Sequence, residues 1–193
     1  MPGHKNPMSA RLTLAVIVLL IWIAPVFAQS IPPVRSKALD DSEVVLPKPA
    51  NSQILVLIVG FSHKSGEVCT AWGKHVSADY AKNPRVAYFQ VPVLQDAPSF
   101  VRPMILHGMR EGVPPQELSH FVPVYDKEAD WKKLVNFSAP DDAYLILADA
   151  QGQVFWQTHG SFNNSAYAEL QKSVATLLEK SANSTSPAPL SKP

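Results

Sequence analysis

The sequence predicts an α/β fold, a three-layer sandwich with a mixed central sheet and helices on both faces. Three observations predict it. Residues 54–59 (ILVLIV) form a continuous, β-branched apolar run, the pattern of a strand buried on both faces. A stretch of helical periodicity separates this run from a second one at residues 86–93 (VAYFQVPV), which makes a βαβ start. Near the end, residues 144–156 (YLILADAQGQVFW) read as a hairpin, followed by one amphipathic helix.

The elements follow in order. Residues 43–47 (EVVLP) are a short extended segment stopped by proline. After the strand at 54–59, residues 60–64 form a loop. Ser65 can cap the next helix, with Glu67 in its first turn, where the helix dipole favours negative charge. Val68, Trp72, His75, Val76 and Tyr80 lie at helical spacing and define one face. Asn83-Pro84 ends that helix, and Pro92 should lie near the end of the second strand. Residues 99–111 predict a helix with Phe100, Met104 and Leu106 apolar and Pro103 in its first turn. Gly112 to Pro115 breaks the chain. Residues 120–125 predict a third strand interrupted by Pro123, and Asp126 caps a short helix through Trp131 and Leu134. Residues 143–148 are a strand, Asp149-Ala150-Gln151-Gly152 a turn, and Val154-Phe155-Trp156 the returning strand. Asn163 or Asn164 caps a last helix at 165–180, with Tyr167, Leu170, Val174, Leu177 and Leu178 on its buried side.

Composition sets the outer bounds. The chain has 193 residues, 46% hydrophobic and 17% charged, with 18 prolines, 8 glycines and 1 cysteine, a globular composition. One cysteine excludes an intramolecular disulfide, a CxxC motif and a cysteine zinc cage. Seventeen basic against sixteen acidic residues gives a net charge of +1, so there is no electrostatic case for nucleic acid or an anionic membrane.

Residues 1–28 read as a secretory signal. Lys5 and Arg11 make the positive start, an apolar stretch runs from Leu12 to Ala24, and Val26-Phe27-Ala28 offers small residues where a signal peptidase reads. The other reading is an uncleaved anchor, because residues 12–28 are only slightly short of a bilayer span. Cleavage would leave a secreted or periplasmic chain; retention would give membrane contact through this segment alone. Residues 29–42, with Pro32-Pro33, read as an extended linker, residues 43–180 as the packed domain, and residues 181–193, rich in Ser, Pro and Asn, as a disordered tail.

The element order over residues 44–178 resembles the thioredoxin-like fold, and its hairpin with Asp-x-x-Gly resembles the redoxin type. The aromatic-rich strand, Asp149-x-x-Gly152 and Trp156 also resemble the mitochondrial ATP synthase assembly factors of thioredoxin-like fold. Those lack a dithiol and commonly carry Arg before that tryptophan, where Phe155 stands here. The resemblance implies a Cys-x-x-Cys at the start of the helix after the first sheet strand. If Cys69 matches the second cysteine, Gly66 holds the first position; if it matches the first, Trp72 holds the second. Either way dithiol exchange within one molecule is excluded. A cis-proline should precede a strand beside that site, and Pro140 lies three residues ahead of Ala143. A peroxiredoxin pattern would place Thr or Ser three residues before the cysteine, where Gly66 stands.

Cys69 is the candidate catalytic residue. In a first helical turn, helped by Lys64 and opposed by Glu67, it would be a reactive thiolate; under the helix it would be an inert apolar residue. Exposure of its sulfur near Lys64 or His63 would favour an enzyme, a one-cysteine thiol peroxidase or reductase using an external thiol. Burial beneath Trp72 would favour a binding or assembly module with a protein partner. His63, Cys69 and His159 invite a copper site, yet no pair has a recognised ligand spacing, so neither metal nor cofactor is expected. Arg102, His107, Met109 and Arg110 cluster as a candidate binding surface or an ordinary amphipathic helix face. Trp72, Tyr80, Tyr144 and Trp156 read as core. Asn136-Phe137-Ser138, Asn163-Asn164-Ser165 and Asn183-Ser184-Thr185 match the glycosylation acceptor pattern, which applies only in a eukaryotic secretory pathway.

Overall fold

The computed structural model describes residues 29–47 and 54–185. The proposed signal segment and the last residues of the proposed tail lie outside them. Six strands and four α-helices follow in the order β1 (Val34–Lys37), β2 (Glu43–Leu46), β3 (Ile54–Gly60), α1 (His63–Tyr80), β4 (Val86–Pro92), α2 (Arg102–Gly112), α3 (Glu128–Leu134), β5 (Ala143–Asp149), β6 (Val154–Gly160) and α4 (Asn164–Thr185). A 3-10 helix, Pro115–His120, lies between α2 and α3.

The main sheet has the order β4-β3-β5-β6. β3 pairs parallel with β4 and antiparallel with β5, and β5 pairs antiparallel with β6. All seven residues of β3 are buried. Because strand side chains alternate, Leu55, Leu57 and Val59 join a core layer with Val91, Trp131, Tyr144 and Ile146. Ile54, Val56 and Ile58 join the opposite layer with Trp72, Val76, Leu145, Leu170 and Val174, under α1 and α4. The mixed sheet with helices on both faces is thus as the sequence predicts.

Four elements differ from expectation. Residues 29–42 are not a linker. Ile31, Val34, Ala38 and Leu39 are buried, the first three within the first core layer, and β1 pairs antiparallel with β2. The residue 29 carbonyl accepts from the Val154 amide (2.8 Å), and the Ile31 amide donates to the Gly152 carbonyl (2.9 Å). Without a regular apolar alternation the segment carries no strand signal, yet burying four apolar side chains outweighs its extended bias. Residues 120–125 are not a regular strand. Two isolated parallel bridges, Gln90↔Phe121 and Val93↔Val124, align them with β4, and Pro123, lacking an N–H, interrupts the ladder. α3 is capped not by Asp126 but by Lys127 in a left-handed conformation (φ 56°), with no side-chain cap bond. α4 continues to Thr185, into the segment expected to be a tail. Its start is as expected, the Ala166 amide donating to Asn163 Oδ1 at 2.8 Å.

The β5–β6 hairpin closes through Asp149, whose Oδ1 accepts from the amides of Gln151 and Gln153, both at 2.9 Å. Gly152 turns the chain at φ 84°, and a Cβ there would meet Pro47 Cβ at 2.6 Å. Gly152→Ala should therefore destabilise the fold by about 2 kcal/mol or more, from left-handed strain plus the collision. Gly108→Ala, in α2 with open space around it, should stabilise by up to about 1 kcal/mol. Urea unfolding of the two variants measures both shifts.

Candidate functional site

α1 begins where β3 ends. Gly60 closes the strand, Phe61 follows, and Ser62 is the N-cap of α1. A reciprocal capping box fixes this turn. Ser65 N–H donates to Ser62 Oγ, Ser62 N–H donates to Ser65 Oγ (both 3.0 Å), and Ser65 Oγ–H donates to the Ser62 carbonyl at 2.8 Å. The arrangement satisfies donors that a helix start leaves orphaned. The expected cap, Ser65, is instead the third helical residue and is fully buried.

The helix start faces the loop ahead of β5. Ser62 Oγ–H donates to Asp141 Oδ1 at 2.8 Å, and Lys64 Nζ lies 3.7 Å from Asp141 Oδ2. Next to it, His159 Nδ1 lies 2.7 Å from Asp142 Oδ2, with the ring stacked on Tyr144. Pro140 is not the expected cis-proline: among the described residues the cis peptide bond is Leu46–Pro47.

Cys69 lies in the second turn of α1, not the first. It is 6% exposed and belongs to the core layer that holds Trp72. Burial pushes its thiol from the ordinary 9.0 up to about 12, against a smaller lowering by a backbone hydrogen bond. At neutral pH the sulfur is a neutral thiol, a poor nucleophile. His63 and Lys64 stand on exposed positions of the first turn. Among the described residues no group of three or more His, Cys, Asp or Glu side chains is arranged to hold a metal ion.

Beside this helix start a groove of about 700 Å³ opens between α1 and α2. Gly66, Cys69 and Thr70 line one wall, Met104, Ile105 and Met109 the other, and the ends of β3 and β4 the floor. α2 contributes no buried residue. It is held by the two arginines of the predicted surface cluster. Arg102 Nε donates to the Ala97 carbonyl (2.9 Å) and Nη2 to that of Gln95 (3.1 Å), and Arg110 Nε donates to the Leu39 carbonyl (2.7 Å). His107 pairs along the helix with Glu111 at 3.3 Å. Of that cluster only Met109 lines the groove.

A thioredoxin-like fold is what this topology and helix start define. No protein-family model matches the chain, and no curated relative matches it. Solved structures do. BsSco, a member of the Sco family of cytochrome c oxidase assembly proteins, superposes with a TM-score of 0.53 at 12% identity, over 79% of this chain and 95% of that one. A thiol-disulfide oxidoreductase from Bacteroides fragilis gives 0.53 at 12% identity, covering 75% and 98%. The pneumococcal exposed lipoprotein thioredoxin Etrx1 from Streptococcus pneumoniae gives 0.51 at 11%, covering 75% and 99%. At these identities the likeness is one of fold: the chain has the fold of thioredoxin-like thiol-disulfide oxidoreductases, with a single cysteine. Among these neighbours the assembly protein serves cytochrome c oxidase rather than the ATP synthase of the sequence resemblance.

In this fold the dithiol opens the helix after the first sheet strand. The start of α1 holds no cysteine: Ser62 is its N-cap and Ser65 its third residue, with Cys69 a turn further on.

Two predictions follow from this geometry. The unfolded thiol ionises near 9.0 and the folded one near 12. Across that window the unfolded state releases a proton that the folded state keeps, so rising pH destabilises the fold, by up to about tenfold in the folding equilibrium per pH unit. Denaturant unfolding of Cys69→Ala should lack this component, while wild-type Cys69 at pH 8 should react with a thiol reagent only on unfolding. In the second, Ser62→Cys/Ser65→Cys should form an intrahelical disulfide on oxidation and reduce insulin in a turbidity assay, whereas the wild type should not.

Proposed function

We propose that the protein is an exported thioredoxin-fold module for binding or assembly, working through a protein partner rather than through thiol chemistry. The observation that carries this reading is the capping box: the helix start, where redox proteins of this fold carry their dithiol, holds no cysteine here, and its serine hydroxyls are committed to closing the turn. The buried, neutral Cys69 supports it, because a one-cysteine peroxidase or reductase needs an accessible thiolate. The fold neighbours include an assembly protein and an exposed lipoprotein, and the signal-like first 28 residues support export. No helix among the described residues is long and apolar enough to cross a membrane.

The test is recovery of the tagged full chain from the exported and membrane fractions of its native cell. A stable partner should co-purify equally with wild type and with Cys69→Ala. Consistent recovery as a lone monomer, or peroxide turnover that disappears in Cys69→Ala, would refute the proposal.

A further inference from the structure

We infer that the groove between α1 and α2 is the docking site for an amphipathic helix of a partner protein whose apolar face is flanked by basic residues. This rests on the reading of the protein as a binding module and names what it binds.

Exposure supplies the first argument. Met104 is 70% exposed on the groove wall, and Phe100, four residues ahead of it, is 82% exposed. Large apolar side chains left in water beside an apolar trough mark an interaction surface. Methionine at both Met104 and Met109 suits it, since the flexible thioether fills irregular gaps against a foreign surface.

The polar lining gives the sign of the partner. Besides His63 and the Cys69 thiol, the ionisable side chains lining the groove are Glu67, Asp96 and Glu128. Glu128 is answered by Lys132, while Glu67 and Asp96 stand on exposed positions with no ion pair among the described residues. The arginines of α2 are turned onto backbone carbonyls and Asp41, and Lys132, the cation beside Glu128 and Asp96, is engaged by Glu128. Deeper, Gln90 is 6% exposed and also lines the groove, and its buried Oε1 accepts no hydrogen bond. Its amide lies against α1 only because Gly73 has no Cβ, which would stand 2.3 Å from Gln90 Nε2. Exposed carboxylates at Glu67 and Asp96 on apolar walls complement a cationic, apolar segment.

The length of the trough sets the form. α2 has 11 residues and so spans about 16 Å, room for about three turns of a helix laid alongside it.

The probe is a fluorescein-labelled Leu/Lys amphipathic peptide of about 14 residues, with a Leu/Glu peptide of the same apolar pattern as its opposite. Anisotropy titration of the wild type should show saturable Leu/Lys binding, at least about tenfold tighter than Leu/Glu. Gly108 lines the groove with open space around it, so Gly108→Leu fills the trough without a clash; it should weaken Leu/Lys binding at least about tenfold, with thermal melting confirming the fold. Glu67→Lys/Asp96→Lys should abolish the charge preference. Met104 and Met109 are the only methionines after residue 8, so both methyl NMR signals should shift on binding. Absence of saturable binding, equal affinity for the two peptides, indifference to Gly108→Leu or unmoved methyl signals would overturn the inference. So would a wild-type dimer that Gly108→Leu dissociates, since the occupant would then be a second copy. A native partner that co-purifies as well with Gly108→Leu as with wild type would reject this groove while leaving the binding-module reading intact.

Discussion

Every other element is placed by the full burial of β3. Each of its seven side chains or backbone faces is covered, alternately by the layer under α1 and α4 and by the layer under α3 and the β1–β2 strap. A strand in that position must pair along both edges, because unpaired backbone groups in a dry interior are costly. β4 supplies the parallel edge and β5 the antiparallel one. The end of β3 therefore lies at a fixed point at the mouth of the sheet, and the helix that follows starts there with little choice. Gly60 is part of that constraint: a Cβ would stand 2.8 Å from Ser65 Oγ and 3.0 Å from Cys69 Sγ, so helix and strand end in close contact.

That contact has consequences for the chemistry. In a redox protein of this fold the helix start presents sulfur to a partner. Here the helix start holds hydroxyls that turn back onto the chain, Ser62 to Asp141 and Ser65 to the Ser62 carbonyl. The one sulfur is a turn deeper, in the apolar layer, where desolvation keeps it protonated. The architecture thus keeps a fixed helix start beside an open groove, with its one cysteine buried under the helix.

Where burial acts through a regular period, the sequence showed it. The run at 54–59, the Asp149–Gly152 turn and the apolar stripe of α4 each repeat a spacing with one structural meaning, and each stands where expected. Pairs between distant residues left no such trace. Arg110 anchoring at the Leu39 carbonyl joins positions 71 apart, and the strap at 29–39 is ordered by contacts with β6 and the 120–124 segment. The site was half visible. Cysteine is the conspicuous residue of this region of the sequence, but the helix start is set by the length of β3 and by a cap in which serine rather than glutamate closes the box. The left-handed Lys127 has no local cue either, since lysine carries no turn preference.

The manner in which α2 is attached bears on how this molecule can change over time. Its guanidinium struts grip main-chain oxygens at Ala97, Gln95 and Leu39, groups that every amino acid possesses. Residues at the anchor points can thus be exchanged without losing the attachment. Since no α2 side chain is buried in either layer, its trough-facing positions are also uncoupled from the interior. Mutation can then reshape one wall of the trough while the fold's stability is left to other residues, so this wall is free to vary in shape and charge as the interior is not.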